Sequence, residues 1–168
     1  MNRRSLYIGL SYSIVAIIYK LIILLGGYSL TKFGFYYSHA VSALLILPFM
    51  IIAIKMVRDK DNGGVIGGRE AIKVALGVFG ISIIILSAYT YFEFEWKLRE
   101  ISVEYYNGAD YLEFLKRQDK LKPEQYPAVI KEVSESLSPV RAVTAKLFSS
   151  FLISVSFAFI TAVFMKKK

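Results

Sequence analysis

Three ionisable residues lie inside or beside apolar stretches of the sequence and are the first candidates for chemistry. Lys20 lies within the first stretch, His39 near the start of the second and Glu93 near the end of the third. A charge within a bilayer is costly, so an ionisable residue there is a functional hypothesis by default. We predict that the three form a polar cluster, with His39 as a member that titrates near neutral pH. The alternative is three independent interfacial groups, with the Lys20 stem reaching outward to water.

Other kinds of active site find little support. The sequence has no cysteine and one histidine, which argues against a metal site. Glu93 and Glu95 are two residues apart and point in different directions on a helix, so they do not make a catalytic pair. The glycine pairs at 63–64 and 67–68 lack the lysine and hydroxyl residue of a phosphate loop, and no serine lies in a nucleophile-elbow pattern. We predict no catalytic residue, no metal, no cofactor and no enzymatic activity.

Four long apolar stretches must position these residues. Hydrophobic residues make up 55% of the 168, in blocks of the length that crosses about 30 Å of hydrocarbon. The sequence therefore predicts an all-α membrane protein, a single-domain bundle of four transmembrane helices. The predicted spans cover about residues 6–27, 36–57, 71–94 and 143–165. A cleaved signal peptide is the alternative for the first, but that stretch is long for a signal and no small-residue cleavage site follows.

The connections have their own signals. Pro48 lies inside the second span and removes the backbone hydrogen bond to Leu44, which predicts a kink there. Asn62-Gly63-Gly64 indicates a turn. The polar segment 95–138 reads as three short helices over 96–106, 109–120 and 128–137. On the last, apolar residues at i, i+3 and i+7 predict a face that packs on something: Ile130, Val133 and Leu137.

The charge distribution favours one orientation. The net charge is +8, but segment 93–139 holds ten acidic and seven basic residues, so the positive excess lies beside the apolar stretches. This pattern fits lipid headgroups and argues against nucleic acid. Lysines and arginines concentrate at the chain termini and in the connection between the second and third spans. By the positive-inside rule, we expect both termini in the cytoplasm and the 95–138 loop outside it.

Small residues recur every four positions along the fourth span and form a stripe on one helix face. Helices in lipid associate through close packing and interhelical hydrogen bonds, which small residues permit. The stripe predicts a packing seam, either within the chain or against a second copy. Its members are Ser150, Ser154, Ala158 and Ala162.

Three segments resemble a known family. Residues 58–66 (RDKDNGGVI), leading into 70–74 (EAIKV), are similar to the junction between the second and third helices of a bacteroidete membrane family, domain of unknown function 4199. Residues 122–138 and the final helix after Leu137-Ser138-Pro139 resemble that family's acidic helical loop and last segment. The pair Gly67-Gly68 departs from the expected pattern. The resemblance implies a four-helix inner-membrane protein of a Gram-negative bacterium and brings no activity or site residues.

Two functions remain open at this point. The first is a non-enzymatic accessory or interaction protein, whose exterior loop contacts a partner protein. The second is a small transporter or channel subunit that acts as an oligomer, for which Lys20, His39 and Pro48 are the motivation. Besides the lipid bilayer, the expected partners are another protein or further copies of the chain.

Overall fold

A computed structural model describes residues 2–31, 34, 37–117 and 121–166, without the side chains of residues 30, 38 and 39. The architecture is an all-α membrane protein with four helices long and apolar enough to cross a bilayer, so the predicted fold class is confirmed. We call the end of the bundle that carries the long connection between the third and fourth spans the loop end. The opposite end, where the first span begins and the fourth span ends, is the terminal end.

The first span is α1, Arg3–Leu25. Its start is set by Asn2, whose side-chain oxygen accepts a hydrogen bond from the Arg4 backbone N–H at 2.8 Å. The helix ends before Gly26, and Gly27 adopts a left-handed conformation with φ of 73°. Asparagine is a favoured N-cap, and a left-handed glycine commonly terminates a helix.

The second span is divided into α2, Ser38–Leu44, and α3, Ile46–Met56. The helix is interrupted at Leu45, three residues before Pro48, which has no backbone N–H to bond the Leu44 carbonyl. The interruption therefore lies where the proline predicted a kink. A π-helical turn over Val57–Asp61 ends the span.

A turn at Gly63 and Gly64, with φ of 62° and 95°, leads to α4, Gly68–Glu93. This helix continues through a π-helical turn, Phe94–Leu98, into α5, Arg99–Tyr106. The sequence predicted a span ending near residue 94 and a separate helix after it. The structure has one helix of 39 residues, about 58 Å long at 1.5 Å per residue, because no glycine or proline occurs between Glu93 and Asn107.

The rest of the loop folds against α5. It contains α6, Ala109–Lys116, and α7, Tyr126–Glu135, which follows a short 3₁₀ turn, Pro123–Gln125. A small core holds these helices together, formed by the buried residues Tyr105, Tyr111, Leu115 and Tyr126. The last residues of the predicted 109–120 helix, 118–120, lie outside the described residues.

The fourth span is α8, Pro139–Met165, which begins at Ser138 as N-cap. It packs mainly on α4, as does α1, so α4 lies at the centre of the bundle. Along the α1–α4 contact, Ser5 donates a hydrogen bond to the Val74 carbonyl at 3.1 Å. The transmembrane core is separate from the loop core, and its most deeply buried large side chains are Ile46, Met50, Ile54, Val57, Ile66 and Val78.

Candidate functional site

The loop end of the bundle contains a buried ion pair between Lys20 of α1 and Glu93 of α4. Lys20 Nζ donates a hydrogen bond to Glu93 Oε2, and the two side chains are only 5% and 4% exposed. Lys20 lies five residues before the end of α1, and Glu93 is the last residue of α4. Two charges of opposite sign in a low-dielectric setting stabilise each other, whereas either alone would be costly.

Tyr89, one turn before Glu93 on α4, contacts both members of this ion pair. Its hydroxyl donates a hydrogen bond to Glu93 Oε1 at 3.3 Å. The Lys20 ammonium lies 5.0 Å from the centre of the Tyr89 ring, within the range of a cation–π interaction. Tyr89 therefore fixes the carboxylate through its hydroxyl and the ammonium through its ring.

A second lysine enters the same region from α8. Lys146 Nζ donates a hydrogen bond to Thr90 Oγ1 at 2.7 Å, and it lies within electrostatic reach of both Lys20 and Glu93. Lys146 was not among the candidates that the sequence indicated. Its position seven residues into α8 is the signal that was missed, because Lys20 lies at a similar distance, five residues, from the end of its own helix.

These groups border a cavity of about 610 Å³ at the loop end. Its walls come from α1, α2, α4 and α8, and the loop contributes Val133 and Leu137 from the helix face that the sequence predicted would pack on something. Most of the lining is apolar, with serine hydroxyls placed among the hydrocarbon groups. The lining serines are Ser29, Ser102, Ser136, Ser138, Ser149 and Ser150.

The cavity carries an excess of positive charge. Lys20, Lys146 and Arg141 line it, against the single carboxylate of Glu93. Lys20 is paired with that carboxylate. Within the described part of the chain, neither Lys146 nor Arg141 forms an ion pair, so two cationic groups face the cavity without a counter-charge of their own.

The other predicted residues have different positions. His39 belongs to α2, but its side chain lies outside the described residues. In the small-residue stripe of α8, Ser150 lines the cavity, whereas Ser154, Ala158 and Ala162 are buried. The stripe thus divides into a cavity-lining end and a packing seam within the chain. Among the described residues, no group of three potential metal ligands comes together.

The arrangement is suited to holding a molecule. It combines an apolar wall, hydroxyl groups and cationic groups in one recess, the usual composition of a ligand site. The Lys20–Glu93 pair anchors α1 to α4 at the inner wall of this recess. Lys146 and Arg141, both on α8, provide its available positive charge.

Comparison with known proteins gives a family and no further relatives. No curated protein matches the chain, and no solved structure matches it. The model of one family, described as "Protein of unknown function (DUF4199)", matches residues 5–167, which include the loop and all four spans except the first two residues of α1. The chain therefore belongs to the DUF4199 family.

Proposed function

We propose that this protein is a non-enzymatic accessory protein of a bacterial inner membrane that binds a small molecule in the loop-end cavity. The observation that carries the proposal is the cavity itself, about 610 Å³, bordered by the buried Lys20–Glu93 ion pair and by Lys146. Ligand sites have volumes of about 300–1,000 Å³ and combine apolar walls with a few fixed polar groups. Buried charges in a membrane protein commonly mark such a site.

The packing favours binding over a continuous pathway. Towards the terminal end, Met50, Ala53, Ile54 and Val78 have no exposed surface and fill the space between the helices. The cavity is confined to the loop end by this core. A molecule that enters it would be retained there, as expected for a protein that binds or presents a ligand.

The proposed orientation has the cavity on the side away from the cytoplasm. Arg4, Arg58 and Lys60 lie at the terminal end, where Arg4 also forms a two-pronged ion pair with Asp61 at 2.6–2.9 Å. Positive residues concentrate on the cytoplasmic side of membrane proteins. The folded loop then lies outside the cytoplasm, positioned to contact a partner protein.

Single cysteines test this orientation, since the chain has none of its own. In spheroplasts, a membrane-impermeant maleimide should label Ala142→Cys, which lines the cavity. Asp59→Cys, at the exposed terminal end, should react only after the membrane is opened. The reverse pattern would invert the topology, and labelling of neither site in intact spheroplasts would contradict an accessible cavity.

Native mass spectrometry of the purified full chain tests ligand binding. We expect a bound adduct that is lost in Ile153→Trp, because Ile153 lines the cavity. Phe159→Trp is the matched control on the same helix, where the side chain is 54% exposed on the outer surface. Absence of any adduct, or an adduct that survives Ile153→Trp in a folded variant, would refute the proposal.

A second candidate is a small transporter or channel subunit acting as an oligomer. The buried Lys20–Glu93 pair and the half-buried Lys146 lie within the spans and favour it, since such groups mark substrate pathways. It requires the core at the terminal end to open. Solute flux in proteoliposomes that is lost in Lys20→Leu would support it over simple binding.

A further inference from the structure

We propose that the ligand of the loop-end cavity is an amphipathic anion, a carboxylate or phosphate headgroup on an acyl chain. This proposal rests on the proposed function and names the chemical class of the ligand. It follows from three properties of the cavity: its uncompensated positive charge, the hydroxyl and cationic donors grouped on α8, and the apolar wall opposite them.

The charge is the first argument. Glu93 already forms an ion pair with Lys20, and Lys146 lies beside these two charges. Arg141 adds a further positive charge from the first turn of α8. Lys146 donates to a threonine hydroxyl and shares the Glu93 carboxylate with Lys20, so the two ammonium groups lack a second counter-charge to offset their desolvation. A ligand anion would supply that counter-charge, whereas a cationic ligand would add to the existing repulsion.

The donors are the second argument. Arg141 offers a guanidinium fork that matches the oxygen geometry of carboxylates and phosphates. Ser138 accepts a hydrogen bond from the Arg141 backbone N–H at 3.2 Å, so its own hydroxyl hydrogen is available to a ligand. No acidic residue lies in the first turn of α8 to compete for these donors. Arg141, Ser138 and Lys146 all line the cavity, so a headgroup there would contact one helix.

The apolar wall is the third argument, because it excludes a simple inorganic anion. Ile23, Phe94, Leu98 and Leu137 line the cavity from α1, the long third helix and the loop. A small hydrophilic anion would leave this surface in contact with water, which costs free energy in proportion to its area. A hydrocarbon chain would cover it. An uncharged lipid would cover it as well but would supply no counter-charge to Lys146.

Defined amphiphiles with the same chain length test the class. The full chain is reconstituted in phosphatidylcholine nanodiscs and titrated with laurate, dodecyl phosphate, dodecanol and dodecyltrimethylammonium. We expect the two anions to bind and the alcohol and the cation to bind at least tenfold more weakly. A second set of nanodiscs, containing phosphatidylglycerol, tests whether the natural ligand is a lipid of the bilayer or a free amphiphile. Competition by this lipid would indicate a bilayer phospholipid, and its absence would indicate a free single-chain amphiphile.

Charge variants locate the headgroup. Lys146→Gln and Arg141→Gln should each weaken anion binding by about tenfold, the effect of losing one charged hydrogen bond. Lys146→Arg, which keeps the charge, should retain most of the binding and shows that the position tolerates substitution. Lys55→Gln, an exposed cation at the terminal end, is the control and should bind as the unsubstituted protein does.

Two results would overturn the anion while leaving ligand binding intact. One is that dodecanol or dodecyltrimethylammonium binds as tightly as laurate and that this binding is lost in Ile153→Trp. The other is anion binding that is unchanged in both α8 charge variants. If the purified protein carries no adduct, the proposed function itself fails, whereas an adduct in a protein that binds none of the probes would overturn only the anion.

Discussion

Ser82 of α4 donates a hydrogen bond to the Gly9 carbonyl of α1, with 3.1 Å between the two oxygens. The same hydroxyl lies 2.7 Å from the Val78 carbonyl of its own helix, so the interaction is shared between the two acceptors. The two backbones approach closely at this point, because a Cβ atom on Gly9 would lie 2.8 Å from the Val78 oxygen. Gly9 therefore sets the distance between the first and third spans.

Gly9→Ala should destabilise the bundle by about 1–3 kcal/mol, since the added methyl group meets backbone that cannot turn aside. Gly80→Ala is the matched control, because a Cβ atom there has no neighbour within 4 Å. Within a helix that change should be neutral or stabilising by about 0.5–1 kcal/mol. Thermal unfolding in detergent micelles measures both, and equal effects of the two variants would contradict the proposed close contact.

The Lys20–Glu93 pair predicts an asymmetry between its two single variants. Glu93→Gln leaves the ammonium groups of Lys20 and Lys146 near each other without a carboxylate, and should cost about 3–5 kcal/mol. Lys20→Met should cost less, because Lys146 remains to compensate Glu93. The double variant Lys20→Met/Glu93→Met should recover stability relative to Glu93→Gln, since well-packed apolar residues often replace a buried ion pair without loss.

Chemical unfolding of the purified variants measures this series. Tyr7→Phe, at a side chain that is 63% exposed on α1, controls for unspecific effects of substitution. If Lys20→Met proved more destabilising than Glu93→Gln, Lys146 would not share the Glu93 charge.

Much of this fold follows from local signals in the sequence. Apolar blocks of membrane length predicted the four spans, Pro48 predicted the interruption at Leu45, and Asn-Gly-Gly predicted the turn at Gly63 and Gly64. Each of these signals acts over a few residues or through the thickness of the bilayer. Local sequence is sufficient to read them.

The site was less accessible because it depends on which helices become neighbours. Lys20 and Glu93 were grouped by opposite charge and similar depth, and the structure places them in contact. Lys146 and Arg141 were not predicted, since nothing in the sequence states that α8 packs beside α4 with both residues at the cavity. The continuation of α4 to Tyr106 was missed because a change to polar residues was taken as a helix end.

Because small residues of α8 pack against α4, the effect of a large substitution on stability should depend strongly on its position along α8. Ser154→Leu should destabilise the bundle by about 1–3 kcal/mol through overpacking, because Ser154 is 3% exposed. Ser156→Leu is the same substitution two residues later on an exposed face, where it should have little effect. Detergent-stability assays compare them, and equal tolerance would show that the stripe is not a packing seam.

Because the loop has its own small core, we predict that the loop unfolds independently of the transmembrane bundle. Leu115 is 2% exposed among the loop tyrosines, and Leu115→Ala should cost the loop about 2–5 kcal/mol. Trypsin should then cleave near Lys116 and Arg117 faster, while thermal unfolding of the transmembrane core, which is a separate cluster, stays unchanged. Val103→Ala, at a side chain 37% exposed on α5, is the control.

Because Val133 and Leu137 of the loop line the cavity, Leu115→Ala should also reduce the adduct seen by native mass spectrometry. Faster cleavage without loss of the adduct would show that the bundle alone retains the ligand. Unchanged cleavage would show that the tyrosine cluster does not hold the loop together. Loss of the adduct together with faster cleavage would make the loop a functional part of the site, acting through the packing of its last helix over the cavity.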